Sequence, residues 1–248
     1  IPAREENVFK VDPADVKKAV TPKTKMMIIN TPANPTGALL DDGILDALAE
    51  IAQHHGLLVL ADEPYEDIVF DGNKHYSIGA IDGMQDLTIS AFTLSKSYAM
   101  TGWRVGYACA PSDLLEGMLK IHQYIIMSAP TMSQDAAVHA LLSADDEAEK
   151  MRVEYDRRRA MFVAGLERMG LPTVEPRGAF YAFPSITPSG MDDETFSMKL
   201  LDEEQVAVVP GSAFGVGGEG FVRCSYATAY EKIEEALERM ERFMRRHG

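Results

Sequence analysis

The chain has 248 residues, 46% apolar and 25% charged, with 24 Lys and Arg against 38 Asp and Glu, a formal net charge of −14 at pH 7. These are ordinary globular proportions in a chain long enough for one to two domains, and they exclude a disordered, collagen-like or low-complexity protein. The acidic balance repels a phosphate backbone, so neither nucleic acid nor an anionic membrane surface is expected as a partner.

Cys109 and Cys224 stand in apolar runs without metal-ligand spacing and are expected to be reduced core thiols of a cytoplasmic protein. No uncharged apolar stretch reaches the ~18–20 residues of a membrane span, and no basic leader precedes an apolar segment.

Short apolar runs bounded by Gly, Pro, Asn or Asp predict strands at 26–30, 57–62, 87–93 and 105–110, and runs apolar on both faces predict a buried parallel sheet. Between the first two, 41–55 carries Ile44, Leu48, Ile51 and Ala52 at helical spacing, with Asp41 at its start and Gly56 just past its end. Further helices are predicted at 112–127, 131–142 and 145–169, the last opening on Asp145, Asp146 and Glu147 at the positive end of its dipole. After Gly170 the pattern changes to strand-like stretches at 178–186, 206–210 and 220–227, a helix at 192–204, and a final amphipathic helix with Ile233, Leu237, Met240 and Met244 on one side. The expected fold is α/β: a mostly parallel sheet flanked by helices over 1–164, an incomplete large domain, followed by a smaller α+β domain over 165–248.

In an open parallel sheet the ligand lies beyond the carboxyl ends of the strands, and there this chain is polar. NTPANPTG follows the first strand (30–37), ADEPYED closes the second (61–67), and TLSKSYAMTGWRVG follows the third (93–106). Taken singly, the first is a turn, Asp62 a helix cap, Lys96 a solvated loop lysine and Arg104 a surface cation. Together, a lysine flanked by small hydroxyls with an arginine eight residues on reads as an amine nucleophile beside an anion site. Asp62 and Glu63 are adjacent, so they are expected to point apart and make a poor acid–base pair. GVGGEG (215–220) has the G-x-G-x-x-G spacing but leads into a strand, so it is read as a flexible connection and not a dinucleotide loop. The six histidines have no metal-ligand spacing, and His54 and His55 close a helix.

These strings, with GAFYAF and FVRCSYA downstream, resemble the fold-type-I pyridoxal phosphate enzymes of the class I/II aminotransferase family, from about Asn30 to the C-terminus. The resemblance implies a role for each matching position. Lys96 would hold the cofactor covalently and carry the proton, and Asp62 would pair with the pyridine nitrogen. Tyr65 and Asn34 would bond the ring oxygen, while Thr93, Ser95 and Arg104 would contact the phosphate. Arg223, helped by Asn34, would clamp the substrate carboxylate, and the Asn34–Pro35 peptide is a candidate cis bond.

The resemblance further implies transamination between an L-amino acid, aspartate first, and a 2-oxo acid such as 2-oxoglutarate, with no metal. Other chemistry on the same scaffold, a C–S lyase or a synthase, and a catalytically silent ligand-sensing or dimerisation domain stay open at this level. The family's N-terminal phosphate loop and ring-stacking aromatic have no counterpart here, so a C-terminal fragment of a longer homodimeric enzyme is expected.

Overall fold

The computed structural model describes all residues, Ile1–Gly248, which form two compact units. The first takes Ile1, Asp12–Pro32 and Leu40–Arg152; the second takes Pro2–Val11, Ala33–Leu39 and Val153–Gly248. The second unit thus holds two segments that precede the sheet's later strands as well as the C-terminal part of the chain.

The first unit is built on a four-stranded sheet of β1 (Met26–Asn30), β2 (Leu58–Asp62), β3 (Thr88–Thr93) and β4 (Gly106–Cys109), in that spatial order. β1, β2 and β3 are parallel, so their carboxyl ends lie side by side, with Asn30 opposite Asp62 and Asp62 opposite Ala91. β4 is antiparallel to β3, so the sheet is mostly parallel, as expected: the connection over 94–105 brings the chain back at the same edge, with Gly106 opposite Thr93. β4 pairs on one side only, which is why Cys109 is exposed and not a core thiol. Gly106 is required there, since a Cβ would lie 2.5 Å from the Phe92 carbonyl oxygen. The outer strand β1 likewise leaves Ile28 69% exposed.

Helix α1 (Pro13–Ala19) precedes the sheet, and α2 (Asp42–His55) connects β1 to β2. The side chain of Asp41 accepts from the Ile44 N–H at the start of α2, and Gly56 ends it in the left-handed conformation with φ 62°. Leu48, Ile51 and Ala52 are buried as their spacing predicts; Leu45 completes that face and Ile44 is half-buried. A short helix α3 (Leu94–Ser97) follows β3, and α4 (Ser112–Ile125) and α5 (Thr131–Ser143) follow β4. Leu94, Met100 and Val105 pack with Ala137 and Ala140 of α5, so both ends of the segment carrying Lys96 are anchored in one apolar cluster. α4 buries none of its residues, leaving Leu119, Ile121, Tyr124 and Ile125 exposed.

Helix α6 (Asp145–Arg168) leads into the second unit, whose strands β5 (Tyr181–Ala182), β6 (Val209–Pro210) and β7 (Val222–Ser225) lie in the order β5–β7–β6, antiparallel throughout. These strands are shorter than their apolar runs, because Pro184 and Pro210 have no N–H to donate to a ladder. Cys224 is buried, which pushes its thiol pKa up to about 12. The glycine segment at 215–220 is a tight turn and not a loose connection: Gly211 N–H donates to Phe221 O at 2.9 Å, and a Cβ on Gly218 would lie 2.0 Å from the Gly211 oxygen. Helices α7 (Asp193–Glu204) and α8 (Tyr230–His247) complete the unit, α8 burying Ile233, Leu237, Met240, Phe243 and Met244. No helix of the chain is long and apolar enough to cross a membrane.

Candidate active site

The carboxyl ends of β2 and β3, with the loop from β3 to β4, carry six of the expected residues in the first unit: Asp62, Tyr65, Thr93, Ser95, Lys96 and Arg104. Asp62 ends β2 half-buried, where Asn30, its register partner at the end of β1, donates to Asp62 Oδ2 and to the Asp62 carbonyl, each at 3.1 Å. Burial raises the Asp62 pKa above the ordinary carboxylate value; the Asn30 hydrogen bond opposes this and the Glu63 charge adds to it. No cation contributes, so the site holds a partly desolvated carboxylate without a counter-charge.

Tyr65 is buried, and Lys96 Nζ lies 5.7 Å from its ring centroid. Thr93 caps α3, its hydroxyl accepting from the Ser95 N–H at 3.1 Å, which fixes Ser95 and the residue after it on the first turn beyond β3. Arg104 is exposed and its Nη1 donates to the Thr101 carbonyl at 3.0 Å. Ala99 and Arg104 both have positive φ, 52° and 54°, at a cost on the order of 1 kcal/mol each, so the loop after Lys96 is held in a strained path.

Glu63 turns away from Asp62, as expected of neighbours on an extended chain. It is 1% exposed, accepts from Ser77 Oγ at 3.0 Å and meets His75 Nε2 at 3.1 Å, while Ser77 and Ser90 hydroxyls lie 3.3 Å apart. Its backbone N–H donates to Ala91 O, extending the β2–β3 ladder one residue past Asp62. This network and Asn30 braces the strand end from below and beside. Neither is visible as a motif, because the partners are 12 and 32 residues apart in sequence.

Glu66 was not singled out by the sequence, yet its Oε2 is buried without a hydrogen-bond partner. Burial, with smaller contributions from the Asp67 and Glu63 charges, pushes its pKa up to about 8. Between pH ~4.5 and ~8 the folded chain therefore holds a proton that the unfolded chain releases, and stability is lost as pH rises through that window. Glu66→Gln keeps the shape and removes the ionisation. We expect its melting temperature to match the parent's near pH 4.5 and to exceed it by several degrees near pH 8, as read by thermal unfolding across pH; parallel curves would show that Glu66 is not the group responsible.

The other two expected residues lie in the second unit. Ala33–Leu39 forms a turn closed by Ala33 N–H to Ala38 O at 2.8 Å, and Gly37 O accepts from the N–H groups of Arg177 and Gly178 at 2.8 and 3.0 Å. Gly37 has φ 71°, and a Cβ there would lie 2.5 Å from the Pro176 side chain, so only glycine lets this turn seat. Seating it places Asn34 Oδ1 3.0 Å from Arg223 Nη1 on β7, which donates to it. The Asn34–Pro35 peptide is cis as expected, and so is Thr31–Pro32.

The family profile described as aminotransferase class I and II matches residues 1–240. The chain belongs to that family. This class I/II aminotransferase chain is 50% identical over 247 residues to an aspartate aminotransferase of Pyrococcus abyssi, and 48% identical over 247 residues to aromatic-amino-acid aminotransferase 2 of Thermococcus litoralis. Each match covers 99% of this chain and 64% of the relative, so the chain spans less than two thirds of their length. The crystal structure of an aromatic aminotransferase from Pyrococcus horikoshii superposes with a TM-score of 0.96 at 49% identity, covering 99% of this chain and 66% of that one.

The family depends on pyridoxal phosphate, and the donor set of the first unit fits that molecule group by group. An amine (Lys96) suits an aldehyde, and an uncompensated carboxylate (Asp62) suits a protonated ring nitrogen. A buried phenol (Tyr65) suits the ring oxygen, and two hydroxyls with a guanidinium (Thr93, Ser95, Arg104) suit the phosphate. No group of three or more His, Cys, Asp or Glu side chains is placed to hold a metal ion.

Proposed function

We propose that this aminotransferase chain carries the catalytic and cofactor-binding residues of a pyridoxal phosphate-dependent transamination, in which an L-amino acid gives its amino group to a 2-oxo acid. Aspartate is the donor named first and 2-oxoglutarate the acceptor. The observation carrying the reading is the desolvated Asp62 carboxylate at the same sheet edge as Lys96, whose ammonium lies over the buried Tyr65 ring. A silent domain has no use for a carboxylate held without a counter-charge.

Pyridoxal phosphate, when bound, supplies an aldehyde for the amino group and a cationic ring that takes up the electron pair left as Cα loses its proton. The protein residues have the following tasks. Lys96 Nζ holds the cofactor at rest and accepts the proton leaving the substrate Cα. Asp62 keeps a proton on the ring nitrogen, and Asn30 keeps the carboxylate aimed. Tyr65 donates to the ring oxygen, and Asn34 serves there and at the substrate; Thr93, Ser95 and Arg104 bind the phosphate. Arg223 binds the substrate α-carboxylate through its guanidinium edge, which orients the Cα–H bond.

We take the working protein to be a cytoplasmic homodimer with a cofactor-binding domain over 1–164 and a small domain over 165–248, using no nucleic acid and no membrane. The exposed apolar residues of α4 support a second copy as partner. Relatives 50% and 48% identical bear aspartate and aromatic names respectively, so both donor classes belong in the assay. A panel of amino donors should give oxo-acid product beyond one equivalent per site only when a 2-oxo acid acceptor is present, with parallel-line ping-pong kinetics; continuous acceptor-independent release of pyruvate and ammonia would defeat transamination in favour of elimination.

A further inference from the structure

Arg223 packs over two aromatic rings. Its guanidinium carbon lies 4.7 Å from the Tyr181 ring centroid and 5.0 Å from that of Phe214, while Nη1 donates to Asn34 Oδ1 at 3.0 Å. Neither ring is loose. Tyr181 is buried on β5 against Phe180, their centroids 4.9 Å apart. Phe214 is 38% exposed, but it closes a turn over Gly211–Phe214 that is fixed twice: Ser212 N–H donates to Asp193 Oδ2 at 2.7 Å, and Gly211 sits so close to Gly218 that a Cβ would lie 1.9 Å from its oxygen. Phe214 also meets Phe183 edge-on at 6.3 Å, and Phe183 stacks on Phe221 at 5.2 Å with an interplanar angle of 8°. An ordered aromatic column thus ends at Arg223.

We propose that Tyr181 and Phe214 are positioning residues that clamp the Arg223 guanidinium and thereby set the affinity for the substrate α-carboxylate; this rests on the reading of Arg223 as the carboxylate-binding residue. Aromatic rings on a guanidinium strip water from its faces and restrict its rotamers, while its N–H donors, which lie in the plane, stay free. With Asn34 fixing one nitrogen, the remaining edge is preorganised for a bidentate carboxylate, and the ordering cost of a long side chain is met before substrate arrives. Phe214 is the member of the clamp that nothing in the sequence marks: it lies nine residues from Arg223, outside every family-like string.

The test uses the holoenzyme and its first half-reaction, followed by the change in cofactor absorbance, with two probes: L-phenylalanine and 2-phenylethylamine, the same amine without the carboxylate. Phe214→Leu should raise the half-saturating concentration of L-phenylalanine about 3- to 20-fold with the maximal rate within about twofold, leave 2-phenylethylamine unchanged, and be rescued by Phe214→Tyr. An unchanged L-phenylalanine response, or equal loss with both probes, would overturn the clamp. Tyr181→Leu should act in the same direction, and unchanged melting temperatures certify that both variants fold. Arg223→Gln separates the two levels of inference. If it leaves the preference for L-phenylalanine over the amine intact, the role of Arg223 fails and the clamp with it; if it abolishes the preference while Phe214→Leu does not weaken it, the clamp alone fails.

Discussion

Lys96→Ala should leave a folded protein that no longer holds pyridoxal phosphate covalently and whose turnover falls by about 10³-fold or more, since both the attachment of the cofactor and the proton transfer at Cα depend on the same amine. The separation of fold from function follows from the packing. The segment around Lys96 is anchored by Leu94, Met100 and Val105 against Ala137 and Ala140, none of which the substitution touches. Among the contacts the variant loses is that of a half-buried amine with the Tyr65 ring, an interaction of about 0.5–2 kcal/mol. A melting temperature within a few degrees of the parent's, with the visible cofactor band gone, is the expected pair of results. A variant that keeps its turnover would remove the lysine from the mechanism.

Asp62→Asn should have effects of opposite sign on stability and on catalysis. In the cofactor-free protein the ionised Asp62 is disfavoured by burial, and its folded pKa lies above the ordinary value. The sign is that of a raised carboxylate: stability is greatest below the unfolded pKa and is lost as pH rises through the folded one, so at neutral pH the ionised group is a net cost. The amide removes that cost, and it keeps the hydrogen bond if its oxygen faces Asn30 Nδ2. Thermal unfolding of the cofactor-free variant at pH 7 should therefore match or exceed the parent's. With cofactor, the amide can no longer supply the negative charge that keeps the ring nitrogen protonated, and turnover should fall by about 10²- to 10³-fold. A variant destabilised without cofactor yet unimpaired with it would reverse both halves of the account.

Much of the first unit was legible in the sequence because apolar runs and helical spacing are local signals. The buried face of α2, its Asp41 and Gly56 ends, and the four strands follow directly from them. The direction of β4 did not, since four apolar residues look the same in either sense and only the path of the connection decides. The exposure of Cys109 follows from β4 having one neighbour, a property of the sheet and not of the residue. The short strands of the second unit reflect prolines whose effect depends on which N–H the ladder needs.

The site was legible to the extent that motifs are local. Asp62, Tyr65, Lys96 and Arg104 stand in recognisable strings, whereas what holds them does not. Asn30 becomes a partner of Asp62 only through strand register, Glu63 finds His75 and Ser77 through a fold-back of the chain, and Asn34 reaches Arg223 because Gly37 docks on Arg177 and Gly178. Such contacts depend on three-dimensional closure over tens to hundreds of residues, which no periodicity encodes. Glu66 was missed for the same reason: a glutamate in a polar loop gives no sign that its carboxylate will be buried.

The central claim is that one amine of this chain binds the cofactor. Borohydride treatment of the protein in the presence of pyridoxal phosphate, followed by proteolysis and peptide mass mapping, reads that amine directly. The pyridoxyl mass is expected on Nζ of Lys96 in a single peptide and absent after treatment of Lys96→Ala; a label on another lysine, or none on Lys96 in a protein that turns over, would contradict the account.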